Sequence, residues 1–197
     1  LSKAPWGPQR IPIAILRCTR QHDDSDGPLY FTDPLCGLEG LEDSPMRELD
    51  FNGVYRLRPN GEPELLVRDQ SRPNGIAFSP DEQTLYVATS DAANMSWMAY
   101  DLDMSGASSA RVFYDANDQT APGAADGMKV DTARNIFATG SGGVWVFDPD
   151  GSNLGTIRPG EVAANVGWGK DGRTLYMTSS TSLYRIRLKR RDIIPGS

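Results

Sequence analysis

The stretch that decides the fold runs Pro73-Asn74-Gly75-Ile76-Ala77-Phe78-Ser79-Pro80-Asp81, with Leu85-Tyr86-Val87-Ala88 just after it. Apolar residues alternate on either side of a Ser-Pro-Asp turn, which is the pattern of two short antiparallel strands. The phrase returns as Ala125-Asp126-Gly127-Met128-Lys129-Val130-Asp131, followed by Ile136-Phe137-Ala138. A looser third copy reads Ala164-Asn165-Val166-Gly167-Trp168, followed by Thr174-Leu175-Tyr176-Met177. A repeat of roughly 40–50 residues built of short strands predicts propeller blades. Corresponding residues of successive blades gather around one axis, so Asn74 and Asp126 are expected to face each other across a central channel.

The totals agree with an all-β chain. Its 197 residues are enough to bury a core, and 20 Gly and 14 Pro imply many turns. No heptad pattern or long helical stripe is present. The net charge of −6 and a sequence pI of about 4.8 argue against a nucleic-acid partner, whose phosphates demand basic patches. The one basic run, Arg185 to Arg191, alternates with Ile186 and Leu188 and reads as a charge-protected edge strand. No apolar stretch approaches the roughly 18–20 residues of a membrane span, so no membrane partner is expected. Cys18 and Cys36 lack the spacing of a disulfide framework or zinc site, and reduced thiols in a cytoplasmic protein are expected.

Strand signals lie between Gly, Pro, Asn and Asp punctuation. They predict one blade from Leu29–Thr32, Gly53–Arg58 and Glu64–Arg68, and a second from Gly75–Phe78, Leu85–Thr89, Trp97–Leu102 and Arg111–Tyr114. A third follows from Gly127–Val130, Ile136–Thr139, Gly143–Phe147 and Leu154–Ile157, and a fourth from Val166–Trp168, Leu175–Thr178 and Ser182–Leu188. Asn60-Gly61, Pro80-Asp81, Asp150-Gly151 and Asp171-Gly172 supply the hairpin turns. The last blade lacks an outer strand. Such a strand is often borrowed from the start of a chain, where Ile11–Leu16 is the one apolar candidate.

The strings LYFTDP (29–34), NGVYRL (52–57), RPNGIAFSPDEQTLYVA (72–88), DGMKVD (126–131), GGVWVFDPDG (142–151) and TLYMTSSTSLYRI (174–186) resemble the senescence marker protein/gluconolactonase/luciferin-regenerating-enzyme-like family. The resemblance covers roughly residues 25–189. It implies a β-propeller of the six-bladed lactonase type, of which about four blades are present here. It further implies a divalent metal in the channel and hydrolysis of lactones or related esters. The family's metal is held by a first-blade Glu, the Asn of a PNG motif and the Asp of a DGM motif. Carried over by motif, these give Asn74 and Asp126 as metal ligands, with Asp126 also catalytic.

Two departures accompany the resemblance. No acidic residue in 1–22 matches the context of the first-blade Glu. The segment Arg10 to Arg20, where the family has an Asn-rich pocket strand, looks foreign. Read two bases out of phase, suitable synonymous codons for it spell Asn-Ser-Asn-Ser-Asp-Pro-Ala-Val-His-Ser, close to the expected family segment. Residues 1–24 are therefore expected to reflect a shifted frame or a non-native start, with the partial propeller at 25–189 and a tail at 190–197.

An Asn carbonyl and an Asp carboxylate suit a hard cation: Ca²⁺ first, with Zn²⁺, Mg²⁺ or Mn²⁺ as alternatives. Such a metal would polarise a lactone carbonyl and acidify a bound water, while Asp126 could orient or deprotonate that water. Gly75 and Gly127 would let the backbones crowd together beside the ligands. Without the resemblance, Asn-Gly and Asp-Gly are ordinary turn pairs. Asn165, Asp33, Ser90 and Asp91 are candidates to line the pocket, though each also reads as a turn former. The single histidine, His22, lies in the foreign segment, so a Ser-His-Asp triad is not expected. No nucleophile elbow or phosphate loop is present. The acidic residues Glu39, Glu42, Asp43 and Glu48 read as a solvated loop, with a cap over the channel mouth as the alternative, and Trp97, Trp145 and Trp168 as blade core. The rival to a hydrolase is an inactive remnant or interaction scaffold that lost its Glu ligand. Open blade edges invite a homo-oligomer.

Overall fold

A computed structural model describes residues 14–17, 27–59, 61–103 and 105–189 of the chain. Its strands form four antiparallel sheets in sequence order. The first holds β1 (Ala14–Arg17), β2 (Leu29–Asp33), β3 (Gly53–Leu57) and β4 (Pro63–Val67). The second holds β5 (Pro73–Phe78), β6 (Thr84–Thr89), β7 (Ser96–Asp103) and β8 (Gly106–Asp115). The third holds β9 (Met128–Val130), β10 (Ile136–Gly140), β11 (Gly143–Phe147) and β12 (Asn153–Ile157). The fourth has three strands, β13 (Ala163–Trp168), β14 (Thr174–Ser179) and β15 (Leu183–Arg187).

Each sheet is a meander, and the first strands of successive sheets lie side by side: β1 against β5, β5 against β9 and β9 against β13. The sheets therefore fan out from a shared inner side, as propeller blades do.

Alternation within single strands binds the fan together, because successive side chains of a strand leave on opposite faces. In β6, Leu85 and Val87 pack toward the first sheet with Tyr30, Val54 and Val67. Tyr86 and Ala88 leave on the other face, toward Met128, Ile136 and Trp145 of the third. The third sheet repeats the device, for Ile136 and Ala138 join that same cluster while Phe137 meets Val166, Leu175 and Met177 of the fourth. The cluster between the second and third sheets is dominated by aromatics. Trp97, 1% exposed, has Trp145 at 5.7 Å and Phe147 at 5.1 Å between ring centroids.

The hairpins turn where expected. Gly151 and Gly172 take φ of 89° and 58°, the left-handed region their turns demand. Asn60 lies outside the described residues. The expected strands all form, most with ends moved by a residue or two, β13 starting three residues earlier and β8 lengthened at its start. One expectation is overturned. The apolar run Ile11–Leu16 supplies no outer strand to the last blade, since Ala14–Arg17 pairs with β2 as the inner strand of the first sheet. Residues 11–13 lie outside the described residues, as does His22. β15 is the edge of its sheet, in keeping with its Arg-rich sequence.

Candidate functional site

Asn74 lies inside β5 rather than ahead of it. Pro73 pairs with Thr89 and Ile76 with Val87, so Asn74 and Gly75 together oppose the single residue Ala88. Such a two-against-one bulge bends a strand and re-aims a side chain, and bulges collect at functional sites for that reason. The bulge turns Asn74 toward Ser90, whose Oγ accepts a hydrogen bond from Asn74 Nδ2 at 2.9 Å. The Ser90 hydroxyl in turn donates to the carbonyl of Ala125. Thr32 Oγ1 donates to the Asn74 carbonyl at 2.8 Å, which ties the bulge to the first sheet. Asn74 is 9% exposed, yet its Oδ1 is buried with no hydrogen-bond partner.

Asp126 follows Ala125 directly and is held from both sides. Gly127 N donates to Ala164 O of the fourth sheet at 3.0 Å, and Thr139 N donates to Gly127 O at 2.9 Å. The approach to β5 is so close that a Cβ on Gly75 would stand 2.0 Å from the Asp126 carbonyl oxygen. The backbones of the two expected ligands are thus close, Asn74 within β5 and Asp126 just ahead of β9, with Ser90 bridging Asn74 to Ala125 beside Asp126. Burial pushes the Asp126 carboxyl above its ordinary pKa.

The other candidates separate cleanly. Asn165 is exposed and folds its Oδ1 back onto the Val166 N–H at 2.8 Å, beside a second strand irregularity at Ala163/Asn165. It touches the site through space, since a Cβ on Gly127 would stand 2.1 Å from its Oδ1. Asp91 closes a turn by accepting from Ala93 N at 3.0 Å. Asp33 is buried at the end of β2, opposite Gly53. Among the described residues no three His, Cys, Asp or Glu side chains gather as a metal cluster. Asn74 and Asp126 therefore offer two oxygen donors, a hard set that suits Ca²⁺ with further oxygens from elsewhere. The orphaned Asn74 Oδ1 fits that role, because a buried carbonyl without a partner costs about 1–3 kcal/mol unless something else occupies it.

A long loop between β2 and β3 is tied to the segment leading into Asn74. Leu35 N donates to Asn52 Oδ1 at 2.9 Å, and Asn52 Nδ2 donates to Ser71 O, just upstream of Asn74. Glu42 pairs with Arg72 at 2.9 Å, two residues before Asn74, while Glu39, Asp43 and Glu48 stay exposed. Cys36 is free and exposed as a residue. Partial burial nevertheless raises the thiol pKa, with the Arg72 guanidinium opposing the shift. Trp168 is half-buried and donates its indole N–H to Val130 O at 3.3 Å.

Comparison with known proteins covers the same region. A family model described as the SMP-30/Gluconolactonase/LRE-like region matches residues 21–181. The chain is 41% identical over 170 residues to a gluconolactonase of Zymomonas mobilis, covering 83% of this chain and 48% of that protein. Among solved structures, a gluconolactonase from Xanthomonas campestris superposes with a TM-score of 0.71 at 32% identity, over 84% of this chain and 55% of that one. A calcium-binding protein, regucalcin, from Agrobacterium tumefaciens gives 0.60 at 25% identity, over 78% of this chain and 50% of that one. The chain spans about half the length of the relatives it matches.

Proposed function

This chain belongs to the SMP-30/gluconolactonase/LRE-like family, and from that premise we propose that it carries part of the site of a metal-dependent hydrolase acting on sugar lactones or related esters. The observation that supports it most is the unpartnered, buried Asn74 Oδ1 on the strand beside Asp126. Those two oxygens would hold the cation, and Ca²⁺ is the reading their hardness favours. A divalent cation there supplies Lewis acidity toward a carbonyl oxygen and toward water. The chain's own residues do the rest. Asp126, the carboxylate beside that cation, would take a proton from water as that water adds to the acyl carbon. The ring C–O bond then breaks, and the leaving oxygen takes up a proton to give the hydroxy acid.

The experiment compares turnover of gluconolactone and aryl esters with and without a chelator. Chelator-sensitive hydrolysis that Asp126→Ala abolishes is the expected result. Hydrolysis indifferent to both chelator and Asp126→Ala refutes the reading. No turnover by a folded chain favours the rival, a propeller piece that serves as a scaffold.

One observation favours an assembly role alongside either outcome. The face of the fourth sheet away from the third presents Tyr176, Leu183 and Arg185, with Leu183 66% exposed, and β15 is an unpaired edge among the described residues. That surface is suited to a second copy of the chain. Light scattering on the isolated chain tests it, with a dimer or larger species expected and a strict monomer counting against it.

A further inference from the structure

We propose that Ser90 is a positioning residue that locks the side-chain amide of Asn74 in one orientation, so that Oδ1 and not Nδ2 is presented to the cation. The inference rests on the metal-site reading above.

The argument is one of hydrogen-bond inventory. A serine hydroxyl owns one proton and two acceptor sites. The Ala125 carbonyl is an acceptor only, and Ser90 Oγ lies against it, so the hydroxyl proton is committed there. What Ser90 then offers Asn74 is an acceptor, and only the NH₂ end of the amide can use it, which it does at 2.9 Å. The amide nitrogen and oxygen are near-equal in size, so packing alone does not choose between them; the hydrogen-bond network does. With Nδ2 spent on Ser90, Oδ1 points the other way, and it is the atom left buried without a partner. The same hydroxyl reaches the residue before Asp126. One side chain thus orients the first donor and tethers the backbone beside the second. Its partners lie 16 residues before it and 35 after it.

Outer partners of metal ligands act in this way, and their loss commonly weakens metal affinity 10–100-fold. Calcium titration by calorimetry on the intact chain reads the effect without reference to turnover. Ser90→Ala is expected to weaken Ca²⁺ binding by about 10–100-fold, and Ser90→Thr, which keeps the hydroxyl, to restore most of it. The deciding arm is the Asn74→Asp background, where both terminal atoms are oxygen and orientation no longer matters. There Ser90→Ala is expected to change Ca²⁺ affinity by less than about threefold, whereas a merely structural serine loses the same factor in both backgrounds. Should Ser90→Ala fail to fold, Ser90→Cys keeps the volume with a weak donor and is expected to bind Ca²⁺ with intermediate affinity. Wild-type affinity in Ser90→Ala or Ser90→Cys overturns the inference alone, as does an equal loss in both backgrounds. A wild-type chain that binds no Ca²⁺ overturns the metal-site reading and this inference with it.

Discussion

Gly75→Ala tests the closest contact in the site. The φ of Gly75 lies outside the left-handed range, so nothing in its own backbone forbids a side chain there. The obstacle is space. An added Cβ would sit 2.0 Å from the Asp126 carbonyl oxygen, 2.8 Å from its carbon and 3.1 Å from Gly127 Cα, where ordinary contact begins at 3.4 Å. All three atoms are backbone, so no rotamer relieves the clash, and the inner strands of the second and third sheets must part. Overpacking of this kind costs about 1–3 kcal/mol, and a clash with backbone belongs near ~3. Alanine also restricts the unfolded chain, which returns about 0.4–1 kcal/mol. The net loss is roughly 2 kcal/mol. For a domain of this size each kcal/mol moves Tm by about 2–4 °C, so the midpoint should fall by about 4–8 °C.

The internal control is Gly167, on the inner strand of the fourth sheet, where a Cβ would meet nothing within 4 Å. Gly167→Ala should leave Tm unchanged or raise it by about 1–3 °C. Thermal melts by circular dichroism, with calcium titration of the same samples, check both variants. Gly75→Ala should also weaken Ca²⁺ binding by at least about tenfold, because it separates Asn74 from Asp126, while Gly167→Ala should not. A Gly75→Ala chain that melts with the wild type and binds calcium as tightly would refute the idea that strand proximity builds the site.

Two further predictions concern the scaffold. Trp97→Ala should cost about 3–5 kcal/mol in urea unfolding, since it empties the centre of the aromatic cluster between the second and third sheets; a loss under about 1 kcal/mol would mean the cluster collapses around the gap. Glu161 accepts from Thr181 N at 3.0 Å, Ser182 Oγ at 2.7 Å and Tyr184 OH at 2.8 Å, which lowers its pKa from 4.5 to about 2. A folded pKa held below the unfolded one adds stability that is present above pH 4.5 and lost as pH falls toward 2. Glu161→Gln should therefore flatten the dependence of Tm on pH in that window, and an unchanged acid slope would count against the carboxylate's role.

The sheets were legible in the sequence because central strands such as β6 and β10 are buried on both faces and say so twice. Leu85 and Val87 specify one neighbour while Tyr86 and Ala88 specify the other. The bulge at Asn74 was not legible, because a bulge is defined by register against β6, and register is a property of the pair. Asn-Gly read alone as a turn for the same reason. Ser90 could be named as a pocket residue, yet its hydrogen bonds to Asn74 and Ala125 exist only where two sheets pack together. β1 was given to the wrong blade because an apolar run does not name its partner, and pairing alone places it beside β2. The ion pair of Glu42 with Arg72 joins residues 30 positions apart, and charge patterning along the chain gives no sign of it.

The placement of the donors bears on how much of the site this chain can hold on its own. Asn74, Ser90, Ala125 and Asp126 all sit at the junction of the second and third sheets, which is also where the packing is heaviest. The sheets that flank this junction are cored in turn, by Tyr30, Val54 and Val67 on one side and by Val166, Leu175 and Met177 on the other. None of these contacts depends on a further blade. Trp97, Trp145 and Phe147 share a core cluster with Ala125, the residue before Asp126, and that packing would supply stiffness of the kind a preorganised site requires. It follows that Trp97→Ala should weaken calcium binding as well as stability, although Trp97 belongs to the core cluster and not to the donor set. Equal calcium affinity in a folded Trp97→Ala chain would show that the donors are held by the Ser90 bridge and the close strands alone.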